Sequence, residues 1–226
     1  MLGIVFTGGK APPPQMVRSL LNNLDSSTLL VAADSGLDIA EKAGLKPHWI
    51  IGDMDSLDNS ARLDSYQKER IIRFPVDKDY TDTELAFSLL REKGFDDIWI
   101  IGGGGDSRID HLFGIRSMLE RDFYPSRWYL DTADIYCIEA DSKIKNKNGT
   151  LNLELKPGSV VSVFPLGPGP WKITSQALKW PLDNLQWSRG ELSLSNIAQS
   201  GKIMLNSVQG RFMVLVPNIR RTLCPL

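Results

Sequence analysis

The sequence contains few of the residues that form metal centres and crosslinks in most proteins. It has 2 cysteines and 2 histidines among 226 residues. Cys137 and Cys224 lie far apart and form neither a CxxC pair nor a zinc-binding spacing, so we expect two reduced thiols in a cytoplasmic protein. With His48 and His111 as its only imidazoles, the chain cannot form a histidine-rich metal site.

The sequence also lacks long apolar runs and an excess of charge of one sign. The formal net charge of -1 provides no overall field for nucleic acid or an anionic membrane, and we expect neither as a partner. No apolar run approaches the roughly 20 residues that a membrane-spanning helix needs. The opening residues MLGIVFTGGK have no basic region before their apolar stretch, so they predict a first strand and not a signal peptide.

The first part of the chain alternates short apolar runs with helical patterns. Strands are predicted over residues 3–7, 29–33, 48–51, 71–74 and 98–101, where Ile, Val and Leu occupy successive positions, as in strands covered on both faces. Thr81 and Glu84 form a capping box for a helix that ends at Gly94, and another helix begins near Asp110. Residues 1–134 are therefore predicted to form a Rossmann-like parallel sheet domain.

The pattern changes from Ile135 onward. Short runs at residues 135–138, 150–155, 159–164, 191–194, 202–205 and 212–216 are separated by turn signals such as Pro-Gly and Asn-Gly. Leucine alternates with polar residues from Leu151 to Leu155, which is the period of a strand, and we find no convincing helical pattern. Residues 135–226 are predicted to form an antiparallel β-sandwich, so the fold class is α/β followed by all-β.

Acidic and glycine-rich segments follow four of the predicted parallel strands. They are residues 34–36 (DSG), 52–56 (GDMDS), 77–82 (DKDYTD) and 102–111 (GGGGDSRIDH). Ligands of open parallel sheets bind outside the carboxyl ends of the strands. The sequence therefore predicts a binding site at this edge of the sheet.

Three of these aspartates suggest a magnesium site. Asp53, Asp55 and Asp79 provide hard oxygen ligands with no thiol or imidazole nearby, which suits Mg²⁺. Alternate residues of an extended segment point the same way, so Asp53 and Asp55 can share one ion or bridge two. The alternative is that these aspartates cap helices and turns by hydrogen bonding to the backbone.

The glycine run and the charges after it suggest a bound nucleotide. Backbone N–H groups of residues 102–105 can approach a phosphate closely because glycine has no Cβ, although the run could also be a simple loop. Arg108 and Lys78 offer cations for phosphate oxygens, and Asp110-His111 opens a helix whose N-terminus favours anions. No GxxxxGK[ST] P-loop is present, so the nucleotide would not be held in the commonest way.

The motifs ADSG, GDMDS, DKDYTDTE, RIDH, ALKWPL and LSN occur in this order. With them the sequence resembles the thiamine pyrophosphokinases, also called thiamine diphosphokinases, over essentially its whole length. The resemblance implies a nucleotide-binding α/β domain, a thiamine-binding β-sandwich and a homodimer with active sites between subunits. It also implies that thiamine and ATP give thiamine diphosphate and AMP. Our hypothesis for the mechanism is in-line attack of the thiamine hydroxyl on the β-phosphorus, with AMP leaving.

The resemblance also assigns roles to individual residues. Catalysis would depend on Asp53, Asp55, Asp79 and Arg108, with Mg²⁺ on the three aspartates. Asp55 or Asp79 is our own candidate for the base, and the sequence does not choose between them. Contacts to ATP would come from Asp34, Ser35, Gly36, Lys78, Thr81, Asp82, Gly103, Gly104, Gly105, Asp110 and His111. Thiamine would contact Leu178, Trp180, Ser195 and Asn196.

The residue chemistry is compatible with these roles but leaves alternatives open. An indole face such as that of Trp180 suits a flat cationic heterocycle, although it could be an ordinary core or surface tryptophan. Ser195 and Asn196 could hydrogen-bond an aminopyrimidine or simply cap a turn.

The chain departs from the family pattern at several positions. Ser35 stands where the family usually has glycine, Asp106-Ser107 precede Arg108 where Gly-Gly is usual, and Ala177 is a milder change of the same kind. The altered positions near the phosphates keep a second function open: a nucleotide- or thiamine-binding module without activity. A third alternative, a metal-dependent nucleotide-sugar transferase with a DxD motif, would not be expected to carry RxDH or a β-sandwich.

Overall fold

The structure is a computed structural model that describes residues 1–22, 24–54, 60–105, 108–142 and 149–218, with Ser60 and Ala61 described by their backbone alone. The chain divides into two compact units. One comprises Met1–Ile115 with Tyr129–Asp131, and the other Arg116–Trp128 with Thr132–Leu226. The units are not separated at a single point, whereas the sequence predicted one boundary at residue 134.

A buried arginine explains why residues 116–128 belong to the second unit. The Arg211 guanidinium donates to the carbonyls of Leu119, at 3.0 Å, and Arg121, at 2.7 Å. It also forms an ion pair of 3.1 Å with Glu139 and lies 3.7 Å from the ring centroid of Tyr124. A largely buried guanidinium needs such partners, so this segment is fixed on the second unit.

The first unit contains a parallel sheet flanked by helices, as predicted. Its strands are β1 (Leu2–Thr7), β2 (Leu29–Ala33), β3 (Trp49–Gly52), β4 (Ile71–Arg73) and β5 (Asp97–Gly102), in the order β5-β1-β2-β3-β4. The helices are α1 (Pro14–Leu21), α2 (Gly36–Lys42), α3 (Asp82–Glu92) and α4 (Ile109–Met118), and Ser60–Ser65 and Lys68–Arg70 form 3₁₀ turns. All four strand pairings are parallel, so the carboxyl ends of the five strands lie at one edge.

The start of α3 shows how the sequence sets a helix boundary beside that edge. Thr81 is the N-cap, its hydroxyl accepts from the N–H of Glu84, and the Glu84 carboxylate accepts from the N–H of Thr81 at 3.0 Å. The predicted capping box is confirmed. The helix ends just before Gly94, whose φ of 83° only glycine adopts at little cost.

The second unit is a pair of antiparallel sheets. After β6 (Arg127–Tyr129), where the two units divide, come β7 (Ala133–Glu139), β8 (Thr150–Glu154), β9 (Val160–Leu166), β10 (Lys172–Gln176), β11 (Ser193–Ile197), β12 (Lys202–Gln209) and β13 (Arg211–Pro217). The first sheet of this unit has the order β11-β9-β13-β7 and the second β10-β12-β8. Val163 and Phe212 of one sheet share a core with Ile173 and Leu205 of the other, which confirms the predicted sandwich.

Strand β10 was not predicted because its sequence, KITSQ, buries only Ile173 completely and offers no apolar alternation. Cys137 is a buried free thiol in β7, and Cys224 lies outside the described residues. Among the helices of the described ranges, none is both long and apolar enough to cross a membrane.

Candidate active site

Most of the predicted nucleotide-binding side chains line one cleft of the first unit. The cleft encloses about 540 Å³ where the strands of the parallel sheet end. Its lining includes the predicted residues Asp34, Ser35, Asp53, Lys78, Asp79, Thr81, Asp82, Gly103, Arg108, Asp110 and His111. Asp55 lies outside the described residues, and Gly36, Gly104 and Gly105 are described but do not line the cleft.

The backbone at the ends of β2 and β3 brings Asp34 close to the segment that carries Asp53. Asp34 has a positive φ of 49°, and its N–H donates to the carbonyl of Ile51 at 2.7 Å. A Cβ on Gly52 would lie 3.1 Å from the Cβ of Asp34, and Gly52 has a φ of 152°. Glycine at position 52 therefore permits the close approach of the two acidic segments.

Lys78 lies between two of the carboxylates. Its Nζ is 3.1 Å from Oδ1 of Asp82 and 3.9 Å from Oδ2 of Asp53, and all three side chains are largely buried. Burial raises the pKa of Asp82, the Lys78 ammonium opposes that rise, and the charges of Asp34 and Asp53 add to it. The ammonium thus offsets part of the repulsion within a crowded acidic group.

Carboxylates still outnumber cationic side chains in the lining. Two cations, Lys78 and Arg108, face five aspartates: Asp34, Asp53, Asp79, Asp82 and Asp110. A polyphosphate would be repelled by this excess unless a further cation entered with it. Carboxylate oxygens are the donors that Mg²⁺ prefers, and Mg²⁺ commonly uses only one or two of them together with phosphate and water. The residues present therefore fit a magnesium-bound polyphosphate.

A metal site made of protein ligands alone is not present in the described part of the chain. Within it, no three His, Cys, Asp or Glu side chains lie close enough to share one ion.

The glycine run packs against the loop after β1. The N–H of Gly103 donates to the carbonyl of Gly8 at 2.8 Å, and Gly104 exchanges hydrogen bonds of 2.7 and 2.9 Å with Lys10. A Cβ on Gly102 would lie 2.1 Å from the carbonyl oxygen of Thr7. Two N–H groups that were expected to face phosphate are thus used within the protein, and glycine is required here for backbone packing.

Arg108 and Asp110 form a two-pronged ion pair at the rim of the cleft. Nε and Nη2 of Arg108 donate to Oδ1 and Oδ2 of Asp110 at 3.0 and 2.7 Å. Hydrogen bonds from Arg108 lower the pKa of Asp110 to about 2. Both side chains are more than half exposed, 61% and 65%, so the guanidinium can exchange this carboxylate for a phosphate at small cost.

Two predicted nucleotide contacts have local structural roles. The Thr81 hydroxyl caps α3, as described above. A Cβ on Gly36 would lie 2.1 Å from the carbonyl oxygen of Phe6, so Gly36 lets the first turn of α2 pack against β1. Their predicted contacts with nucleotide remain predictions.

In the second unit, Asn196 is bound to the backbone around Trp180. The Asn196 side chain is only 1% exposed. Its Nδ2 donates to the carbonyl of Trp180 at 2.6 Å, and its Oδ1 accepts from the N–H groups of Trp180, at 3.1 Å, and Ile197, at 2.9 Å. Trp180 is 51% exposed, and Nζ of Lys179 lies over its ring, 4.6 Å from the centroid. Trp180 is therefore a half-exposed tryptophan whose backbone is held by Asn196.

The other two predicted thiamine contacts differ in exposure. Ser195 is exposed and has a positive φ of 58°, and its N–H donates to the hydroxyl of Ser162 at 3.3 Å. Leu178 is buried in the core of the sandwich. Both thiamine contacts stay predictions.

The end of β1 also contributes to the cleft, although the sequence did not predict it. Thr7 and Gly8 line the cleft, and the Thr7 hydroxyl is 2.5 Å from that of Thr83 in the first turn of α3. A signal was available, since Gly8-Gly9 follows the first apolar run in the way the other cleft segments follow theirs.

Comparison with known proteins agrees with this geometry. The family model of the thiamin pyrophosphokinase catalytic domain matches residues 20–126, and that of the thiamin pyrophosphokinase vitamin B1 binding domain matches residues 148–210. The chain belongs to the thiamin pyrophosphokinase family. The predicted family and the predicted enzyme class, a thiamine diphosphokinase, are thereby confirmed.

Individual relatives cover nearly the whole chain. The thiamine pyrophosphokinase of Bacillus subtilis (strain 168) is 26% identical over 196 residues, which span 85% of this chain and 87% of that protein. The crystal structure of a Bacillus subtilis thiamine pyrophosphokinase matches with a TM-score of 0.72 at 22% identity, covering 96% of this chain and 98% of the other. A thiamin pyrophosphokinase from Candida albicans has a TM-score of 0.63 at 15% identity, covering 96% and 88%. These structures confirm the fold.

Proposed function

We propose that the cleft of the first unit binds ATP with Mg²⁺, and that the diphosphoryl group of ATP passes to the hydroxyl of thiamine, releasing AMP. The observation that carries the proposal is the charge of the cleft, in which five aspartates face Lys78 and Arg108. A triphosphate needs a divalent cation to enter such a lining, and the first of the two family domains matches this part of the chain.

The acidic residues would hold the metal. Asp53 and Asp79 lie in the cleft, and Asp55, outside the described residues, follows Asp53 by two positions. When bound there, Mg²⁺ would neutralise the triphosphate and orient it. Asp34 supports this group because its backbone contacts the end of β3.

The cations of the chain would act on the phosphates. Lys78, whose Nζ lies 3.1 Å from Oδ1 of Asp82, supplies a nearly buried ammonium. Its electrostatic attraction for phosphate oxygens is therefore weakly screened by water. Arg108 would release Asp110 and donate the same two N–H groups, on Nε and Nη2, to two phosphate oxygens. The bidentate geometry of the guanidinium would be the same with either partner. In-line transfer needs this positioning and charge compensation more than covalent help from the protein.

Thiamine would be bound by the second unit. The exposed indole of Trp180 would attract a flat cation. Ser195, which directly precedes Asn196, is also exposed. Asp55 or Asp79 would accept the proton of the thiamine hydroxyl. We also propose that the protein is a cytoplasmic homodimer, which light scattering of the purified protein and cell fractionation would test.

The decisive experiment incubates the protein with thiamine, ATP and Mg²⁺ and separates the products by chromatography with mass detection. Thiamine diphosphate together with AMP is the expected result. ADP with thiamine monophosphate would mean attack on the γ-phosphorus and would refute the mechanism. Binding of both ligands without product would instead support the inactive binding module.

The metal assignment is tested by Asp53→Asn and Asp79→Asn. We expect each to lower turnover at limiting Mg²⁺ by about a hundredfold, because charge compensation at a reacting phosphate is lost. Asp96→Asn is the matched control, since Asp96 precedes β5 at the opposite edge of the sheet and pairs with the N-terminus at 3.5 Å. Near-parental turnover of both cleft variants would show that the metal is held elsewhere.

A further inference from the structure

The segment that follows Asp53 is fastened to helix α2 by one arginine. Arg62 lies in the 3₁₀ turn Ser60–Ser65, and its guanidinium contacts two carboxylates of α2. Nη1 donates to Oδ1 of Asp38 at 2.6 Å, and Nε donates to Oε2 of Glu41 at 2.9 Å, with Nη2 on the same oxygen. We call these three residues the Arg62 clamp.

A tyrosine extends the clamp. The Tyr66 hydroxyl donates to the other oxygen of Glu41, Oε1, at 3.1 Å. The three charged side chains are only about a third exposed, so their interaction is less screened than that of a surface pair. Both oxygens of Glu41 are thus used to hold the chain downstream of Asp53.

The clamp is continuous with the core under the cleft. Met54, Leu63 and Tyr66 are all buried in one apolar cluster with Ala32, Leu37 and Ile50. Met54 directly follows Asp53, and its φ of 65° shows a sharp change of direction there. The residue beside Asp53 therefore packs in the same cluster as the segment that Arg62 holds.

The same helix begins beside the other acidic segment. Helix α2 starts at Gly36, two residues after Asp34. Asp34 and Asp53 both line the cleft. Arg62 thus connects the chain after Asp53 to the helix that follows Asp34. We propose that Arg62 is a positioning residue, which sets the placement of Asp53 relative to Asp34 and thereby the affinity of the cleft for a divalent cation. This inference rests on the proposed function.

Removing the guanidinium should affect more than one hydrogen bond. Asp38 and Glu41 are one turn apart on α2, so without Arg62 they become a repelling pair. Lysine at this position cannot restore these contacts, because one ammonium group cannot replace the three guanidinium nitrogens that reach Asp38 and Glu41. The 3₁₀ turn would then lose its ion pairs to α2. Its attachment would be weakened but not lost, because the hydrogen bonds of Tyr66 to Glu41 and of Lys46 to the carbonyl of Ser65 remain, as does the packing of Leu63 and Tyr66 against Met54.

The test compares Arg62→Met and Arg62→Lys with Arg18→Met. Arg18 is the matched control, because it also fastens α2, through a 3.0 Å hydrogen bond from Nε to the carbonyl of Ala43, the C-cap at the end of the helix remote from Asp34. The readout is Mn²⁺ binding followed by electron paramagnetic resonance, with a non-hydrolysable ATP analogue present. Melting temperatures and the KM for thiamine are measured on the same samples.

We expect Arg62→Met to weaken Mn²⁺ binding about tenfold, as for other residues that orient metal ligands indirectly, and Arg62→Lys to restore little of it. Arg18→Met should bind Mn²⁺ like the parent even if it melts at a similarly lowered temperature, and the KM for thiamine should not change. Equal Mn²⁺ affinity of the parent and Arg62→Met, or equal weakening in Arg18→Met, would overturn the inference. A parent that binds no Mn²⁺ would instead refute the proposed function and, with it, this inference.

Discussion

Replacing Asn196 with alanine should separate a structural role from thiamine binding among the residues predicted to contact thiamine. The Asn196 side chain makes three hydrogen bonds to backbone, two with Trp180 and one with Ile197, in a buried position. Each such bond contributes about 1 kcal/mol net, and groups left unsatisfied in a buried place cost more. We therefore expect Asn196→Ala to lower the free energy of unfolding by about 3 kcal/mol.

The matched change is Trp180→Ala. Trp180 is half exposed, and the Lys179 ammonium lies 4.6 Å from the centroid of its ring, an interaction worth about 0.5 kcal/mol at an exposed site. Its loss should change the free energy of unfolding by less than about 1 kcal/mol. If the indole binds the thiamine cation out of solvent, the same change should cost about 2 kcal/mol of binding, or roughly thirtyfold in Kd.

Calorimetry measures both quantities, by scanning for stability and by titration for thiamine. The expected pattern is a large loss of stability in Asn196→Ala and a large loss of affinity with nearly parental stability in Trp180→Ala. Parental stability of Asn196→Ala would show that its hydrogen bonds do not hold the backbone of Trp180. Parental thiamine affinity of Trp180→Ala would show that the indole is not the binding face.

Three further predictions concern the stability of the first unit. Thr81→Ala should lower stability by about 1 kcal/mol, because the N-cap of α3 is lost, whereas Thr81→Ser should be close to the parent in denaturant melts; equal stabilities would refute the capping role. Gly36→Ala should lower stability by at least about 2 kcal/mol in the same melts, since its Cβ would lie 2.1 Å from the carbonyl oxygen of Phe6, and a parental midpoint would contradict that crowding. His48 has a pKa lowered by burial and by Arg70, and its Nδ1 accepts from the N–H of Leu30 at 3.0 Å. Its contribution to stability should be complete above pH 6.5 and fall as the pH drops through the lowered pKa, so the parent should lose more stability than His48→Gln between pH 8 and pH 5; identical pH profiles would refute this.

The sequence alone determined the order and type of most elements. Successive Ile and Val residues require strands covered on both faces, and alternating Leu and polar residues require a sheet with one open face; these two patterns separated the parallel sheet from the sandwich. Thr81 and Glu84 fixed the start of α3 because a capping box is a local interaction between residues three apart. The acidic segments could be assigned to one edge because parallel strands place their carboxyl ends together.

Only the tertiary structure decided what each polar group contacts. Gly103 lines the cleft, but its N–H donates to the carbonyl of Gly8, far away in sequence. Asn196 is bound to the backbone of Trp180, and Arg62 joins α2 to the chain after Asp53. These partners depend on which segments the fold brings within hydrogen-bonding distance. Sequence periodicity determines which face of an element is buried, whereas such long-range pairings follow from the packing of whole elements.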